Sequence, residues 1–123
     1  MLSSSIRWIL VVSGLITLVG GIVPLFAPYF QLRSTYAVDN PASIAVFFVR
    51  HWGVLISVVG CLIIYSAYAP AIRGPVLLAA AAEKFALVVL VFFGPVRRTS
   101  GMTAIAVMDG IFAILYVVYL VGR

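Results

Sequence analysis

Hydrophobic residues fall into four long stretches along this chain, each closed by proline, glycine or a cluster of polar side chains. The first covers about 8–26. It exceeds the roughly 7 to 15 apolar residues of a signal-peptide core and shows no small-x-small cleavage site before Pro24, so it reads as a retained helix. Residues 28–40, PYFQLRSTYAVDN, carry Gln31, Arg33, Ser34, Thr35 and Asp39 and are expected to form an interfacial loop. Asp39 or Asn40 is expected to cap a second helix that takes Pro41 in its first turn, where the missing proline N–H would have had no partner. That helix covers 41–68 and stops before Pro70, and residues 69–74, with Arg73, form a hinge. A third helix covers 75–93 and ends at Gly94 and Pro95. The polar turn at 97–101 leads to a fourth helix over 102–120, which leaves Arg123 at the surface.

At 1.5 Å per residue, a stretch of about 20 apolar residues matches the roughly 30 Å hydrocarbon core of a bilayer. The short second and third connections favour antiparallel neighbours, because a few residues cannot carry the chain across a wide gap. The predicted fold is an all-α integral membrane protein, a single domain over 1–123 folded as an up-down-up-down bundle of four transmembrane helices.

Composition agrees and removes the alternatives. Of 123 residues, 65% are hydrophobic and 9% charged, and the mean hydropathy is +1.26. A soluble globule, a disordered chain and a disulfide scaffold are excluded by those proportions. The single Cys61 lies in an apolar run and reads as a small packing residue. The net charge of +5 does not indicate nucleic acid. Arg7, Arg33, Arg73, Arg97, Arg98 and Arg123 flank the apolar runs, where they reach headgroups, and no basic stripe with interleaved aromatics is present. Counted by side, Arg7, Arg73 and Arg123 stand against Arg33, Arg97 and Arg98, so the positive-inside rule is tied. Retention of the N-terminal end tips the reading toward cytoplasmic termini. Most tyrosines and Trp8 fall near helix ends, as interface residues do.

Five ionisable residues fall within the helices: Arg50, His51, Glu83, Lys84 and Asp109. A charge at the bilayer centre costs roughly 2.5–3.5 kcal/mol even on lenient scales, so each needs a partner or a wet cavity. The helix rise puts Arg50 about 13 Å, Glu83 about 12 Å and Asp109 about 10 Å from the starts of their helices, depths that nearly coincide. Two cations, Arg50 and Lys84, balance two anions, Glu83 and Asp109. Arg50 shares a stripe with Gly53, Ser57 and Gly60 or Cys61, which suits a close helix contact. Arg50, Glu83 and Asp109 are therefore expected to meet inside the bundle, with His51 at the margin and Lys84 snorkelling along its stem. Asp109 shares its stripe with Ala106, Ala113 and Tyr116, and the first helix offers Ser13, Thr17, Gly20 and Pro24.

Such a cluster can serve as an ion-pair network that fixes helix register, or as the polar end of a ligand site. The first functional reading is a small membrane protein that binds a hydrophobic small molecule or lipid between its helices. Arg50, His51, Ser57, Glu83, Lys84, Asp109 and Tyr116 are the candidate contacts. One alternative is an accessory subunit of a larger membrane complex, or a homo-oligomer. Another is a membrane-embedded acid/base enzyme of isomerase or cyclase type, with Glu83 and Asp109 sharing the proton work. His51, Glu83 and Asp109 lack metal-ligand spacing, so no metal is assigned, and no cofactor is specified. Nucleophile elbows, phosphate loops and dinucleotide fingerprints are absent.

Over 48–91 the order of Arg50-His51-Trp52-Gly53, Gly60, a proline-bounded hinge with Arg73, and a helix carrying Glu83 and Lys84 resembles small bacterial four-helix membrane proteins of the DoxX-like type. The resemblance implies a four-helix bundle in the bacterial cytoplasmic (inner) membrane, with some relatives linked to quinone-dependent oxidation. No quinone-site motif carries residues over. In size the chain is also similar to the small multidrug transporters, but their carboxylate lies in the first helix, where only Ser13 and Thr17 stand here.

Overall fold

The computed structural model describes residues 2–122, and among them every regular element is helical. Five helices follow in order: α1 (Leu2–Phe26), α2 (Pro28–Tyr36), α3 (Ser43–Tyr68), α4 (Pro70–Phe93) and α5 (Ser100–Gly122). Four of them, α1, α3, α4 and α5, are long and apolar enough to cross a membrane. The protein is a small membrane protein built as a helix bundle. Arg123, expected at the surface, lies outside the described residues.

Two alanine–proline steps decide where the chain turns. Ala27 and Ala69 adopt nearly the same backbone conformation, φ −133°, ψ 61° and φ −130°, ψ 80°. A proline ring clashes with a helical residue before it, so Ala27 and Ala69 leave the helical region; each proline then starts the next helix at a position where its lost N–H is not missed. The expected hinge at 69–74 is therefore absent, since α4 begins at Pro70 and Pro75 lies inside it.

Arg73 is turned inward. Its Nε donates to the Ser66 carbonyl and one Nη to the Ala67 carbonyl, both at 2.9 Å, while the other Nη donates to Tyr119 Oη at 3.2 Å. The last carbonyls of α3 have no partner within the helix, and a guanidinium there answers both their lone pairs and the negative end of the helix dipole. Arg73 therefore locks α3 to α4 and is not the headgroup-reaching flank that sequence suggests.

The segment expected as an interfacial loop folds as α2. Nine residues hold a helix poorly on their own. Here Gln31 and Leu32 are buried against the bundle, and Ala37, in the left-handed region at φ 58°, ends the helix by donating to the Leu32 carbonyl. Because that turn consumes the residues that follow, Asp39 and Asn40 do not cap α3; Ala42 is its N-cap and Pro41 stays outside. Thr99 anchors α2 to α5: its hydroxyl donates to the Thr35 carbonyl and accepts from Met102 N at 3.1 Å.

α1 and α3 run antiparallel with their backbones in contact. A Cβ on Gly53 would stand 2.6 Å from the Gly21 carbonyl oxygen, and one on Gly60 would stand 2.6 Å from Leu18 N. Small residues permit this approach where no water drives helices together. α4 and α5 form the second antiparallel pair, and α2 lies across one end against α1, α3 and α5. One apolar cluster contains Leu10, Ile63, Leu77, Ala80 and Tyr116. A smaller one contains Val91, Met102 and Ala106. Cys61 is exposed on the outer face of α3 rather than packed inside.

Candidate functional site

Lys84 and Asp109 lie between the two apolar clusters. Along α4 the inward stripe Leu77, Ala80, Ala81, Lys84 and Val91 is buried, and along α5 the corresponding stripe is Met102, Ala106, Asp109, Ala113 and Tyr116. Lys84 is 1% exposed, and its Nζ stands 3.2 Å from Asp109 Oδ1. A second bond runs to Thr17 Oγ1 at 3.1 Å. The Thr17 hydroxyl donates to the Ser13 carbonyl at 2.8 Å, which leaves a lone pair facing the ammonium. Tyr116 in turn donates to Ser13 Oγ at 2.5 Å. Residues of α1, α4 and α5 are thus tied into one buried polar belt, with Lys84 also 5.6 Å from the centre of the Phe112 ring.

Glu83 differs from its neighbour. Its side chain is 25% exposed, and Oε1 lies 4.0 Å from Lys84 Nζ, beyond hydrogen-bond range. That oxygen is enclosed and has no hydrogen-bond partner.

Beside the belt is a cavity of about 260 Å³, lined by Thr17, Gly20, Gln31, Trp52, Glu83, Lys84 and Asp109 among mainly apolar neighbours. Its volume is close to the lower end, about 300 Å³, of small-molecule pockets, and its mix of apolar wall with a few convergent polar groups is typical of them. α2 supplies Phe30, Gln31, Ser34 and Thr35 to the wall. On the same helix the Tyr36 hydroxyl is pushed above its ordinary range, first by burial and then by the charge of Asp109.

The sequence-predicted residues divide clearly. Glu83, Lys84 and Asp109 come together. Arg50 does not: it is exposed on α3, and its Nε donates to the Leu25 carbonyl at 3.2 Å, near the end of α1. Guanidinium finds its acceptors at a helix end more cheaply than a burial site provides them. His51 is also exposed, stacked on Phe47 with ring centres 6.5 Å apart. Ser57 donates to the Gly53 carbonyl at 2.7 Å and packs at the α1–α3 contact. Tyr116 is buried and is not among the residues that line the cavity; its hydroxyl holds Ser13. Lys84, expected to snorkel, is the central cation. The run of alanines at 79–82 concealed this, because small residues occupy both faces of α4 there; the buried phase shows in Arg73, Leu77, Ala80 and Val91. Gln31, Phe30 and Trp52 were not anticipated, the first two because α2 reads as a loop.

Comparison with protein-family models, with curated proteins and with solved structures finds no match to this chain.

Proposed function

We propose that this protein binds a hydrophobic small molecule or a lipid chain between its helices, with the Lys84–Asp109 pair as the polar anchor. The observation that carries the reading is the cavity itself, an apolar space at membrane depth whose polar wall is a buried ion pair. Lys84 and Asp109 lie nine residues from the α4 and α5 ends on the α2 side, about 14 Å in at the helix rise. The membrane of this proposal is a bacterial cytoplasmic membrane with the termini on the cytoplasmic side, in keeping with the resemblance to DoxX-like proteins.

Gly20 supplies the test. It lines the cavity, and a Cβ built there meets nothing within 4 Å. The first carbon of a side chain at Gly20 therefore meets open space, and Gly20→Leu is expected to occupy part of the cavity while gaining up to about 1 kcal/mol of helix propensity. Native mass spectrometry of gently extracted protein is expected to show a small-molecule adduct that Gly20→Leu loses while the protein stays folded. Large partner chains with no adduct would replace this reading with that of an accessory subunit. An adduct that persists in Gly20→Leu would place binding elsewhere on the molecule.

A further inference from the structure

We propose, on the strength of the binding reading above, that the cavity takes a cationic amphiphile: an apolar body bearing one ammonium group that pairs with Glu83. The charges beside the cavity do not balance. Among the described residues, Lys84 is the one cation in the wall, whereas Glu83 and Asp109 are both there. Asp109 at 3.2 Å and Thr17 at 3.1 Å take up the ammonium of Lys84, and Glu83, at 4.0 Å, is left without a hydrogen bond. Among the described residues, no other cation comes within ion-pair distance of it. Arg73 is committed to Ser66, Ala67 and Tyr119 at the opposite end, and Arg50 is held outside by the Leu25 carbonyl.

When ionised, Glu83 puts one uncompensated negative charge beside an apolar space, where a low dielectric magnifies its pull on a cation. An anionic ligand would meet two carboxylates, and a neutral one would leave the charge uncompensated. Trp52 and Phe30 add aromatic rings to the wall, which favour a desolvated ammonium over a neutral head. Val19, Val23, Ile105 and Met108 line the remainder and suit an alkyl body.

The chain has two tryptophans, and Trp8→Phe leaves Trp52, in the cavity wall, as the sole emitter. That protein, in nanodiscs of zwitterionic lipid, is titrated with octylammonium, octanol and octanoate while Trp52 emission is followed. The expected result is a saturable response to octylammonium at a concentration at least about tenfold below that for octanol, with no response to octanoate. Adding Glu83→Gln should bring the ammonium-to-alcohol ratio to about one, with the octanol response retained. Adding Gly20→Leu should remove both responses. Equal responses to ammonium and alcohol, as when a bound proton already neutralises Glu83, would overturn the ligand class and leave the binding reading standing. A saturable preference for octanoate would do the same. No saturable response to any of the three would overturn both. If Glu83→Gln does not fold, the order of the three probes on the Trp8→Phe protein decides the matter alone.

Discussion

Adjacent residues on one helix have opposite fates here. Glu83 and Lys84 stand about 100° apart around α4, and the inward place goes to the lysine. Its long apolar stem crosses the packed interior to reach Asp109 and Thr17, so burial of the stem and pairing of the head are met together. The pair should behave as a unit. Lys84→Met leaves Asp109 buried without its cation and is expected to cost about 3–5 kcal/mol, whereas Lys84→Met with Asp109→Leu should recover most of that loss. Glu83→Gln should cost far less than Lys84→Met, because Glu83 makes no hydrogen bond. Thermal unfolding in detergent of the two single variants at Lys84 and Asp109 and of the double variant would check the coupling. Additive losses would mean that the two side chains stabilise the bundle independently.

At the level of elements, backbone contact and proline punctuation divide the work. α1 and α3 touch where glycine removes the side chain from both sides, as at Gly21 against Gly53. Gly53→Ala forces a methyl onto the Gly21 carbonyl and the Leu25 amide, neither of which can turn aside as a side chain would. We expect a loss of roughly 1–3 kcal/mol. Gly110→Ala is the matched control: its new methyl would stand 3.5 Å from Val88 Cγ2, an ordinary contact. It should be neutral or stabilising, by up to about 1 kcal/mol of helix propensity. Equal melting temperatures for the two alanine variants would show that α1 and α3 can separate freely. α2 owes its existence to the same kind of tertiary support, because Gln31, Leu32 and the Thr99–Thr35 bond hold it on the bundle.

The whole molecule is a bundle whose outer faces are apolar. Phe93, Trp8, Phe48 and Leu90 are exposed, and large apolar side chains in that number require a lipid surround. Four crossings place the start of α1 and the end of α5 at one face, and the α4–α5 connection at the other. With Cys61→Ala as background, single cysteines introduced as Ser5→Cys and Ser100→Cys should react with a membrane-impermeant maleimide from opposite sides of the membrane. Labelling of both from the same side would refute the four-span arrangement.

Hydropathy alone set the four spans, since a run of apolar residues of bilayer length has no other stable solvent, and Pro28, Pro70 and Pro95 marked where α1, α3 and α4 end, whereas α1 and α4 start six and five residues earlier than the pattern suggests. Local patterning also marked the small-residue stripes through Gly53 and Gly60 and through Ser13, Thr17 and Pro24. What it did not decide is which ionisable residue faces inward. Helical phase is ambiguous across the alanines at 79–82, and an arginine such as Arg50 or Arg73 satisfies its donors on any exposed set of carbonyls, which only the relative placement of helix ends reveals. The same holds for α2, whose sequence is too polar and too short to declare a helix. Its nine residues are held by contacts with distant parts of the chain, and those contacts exist only once the long helices have packed.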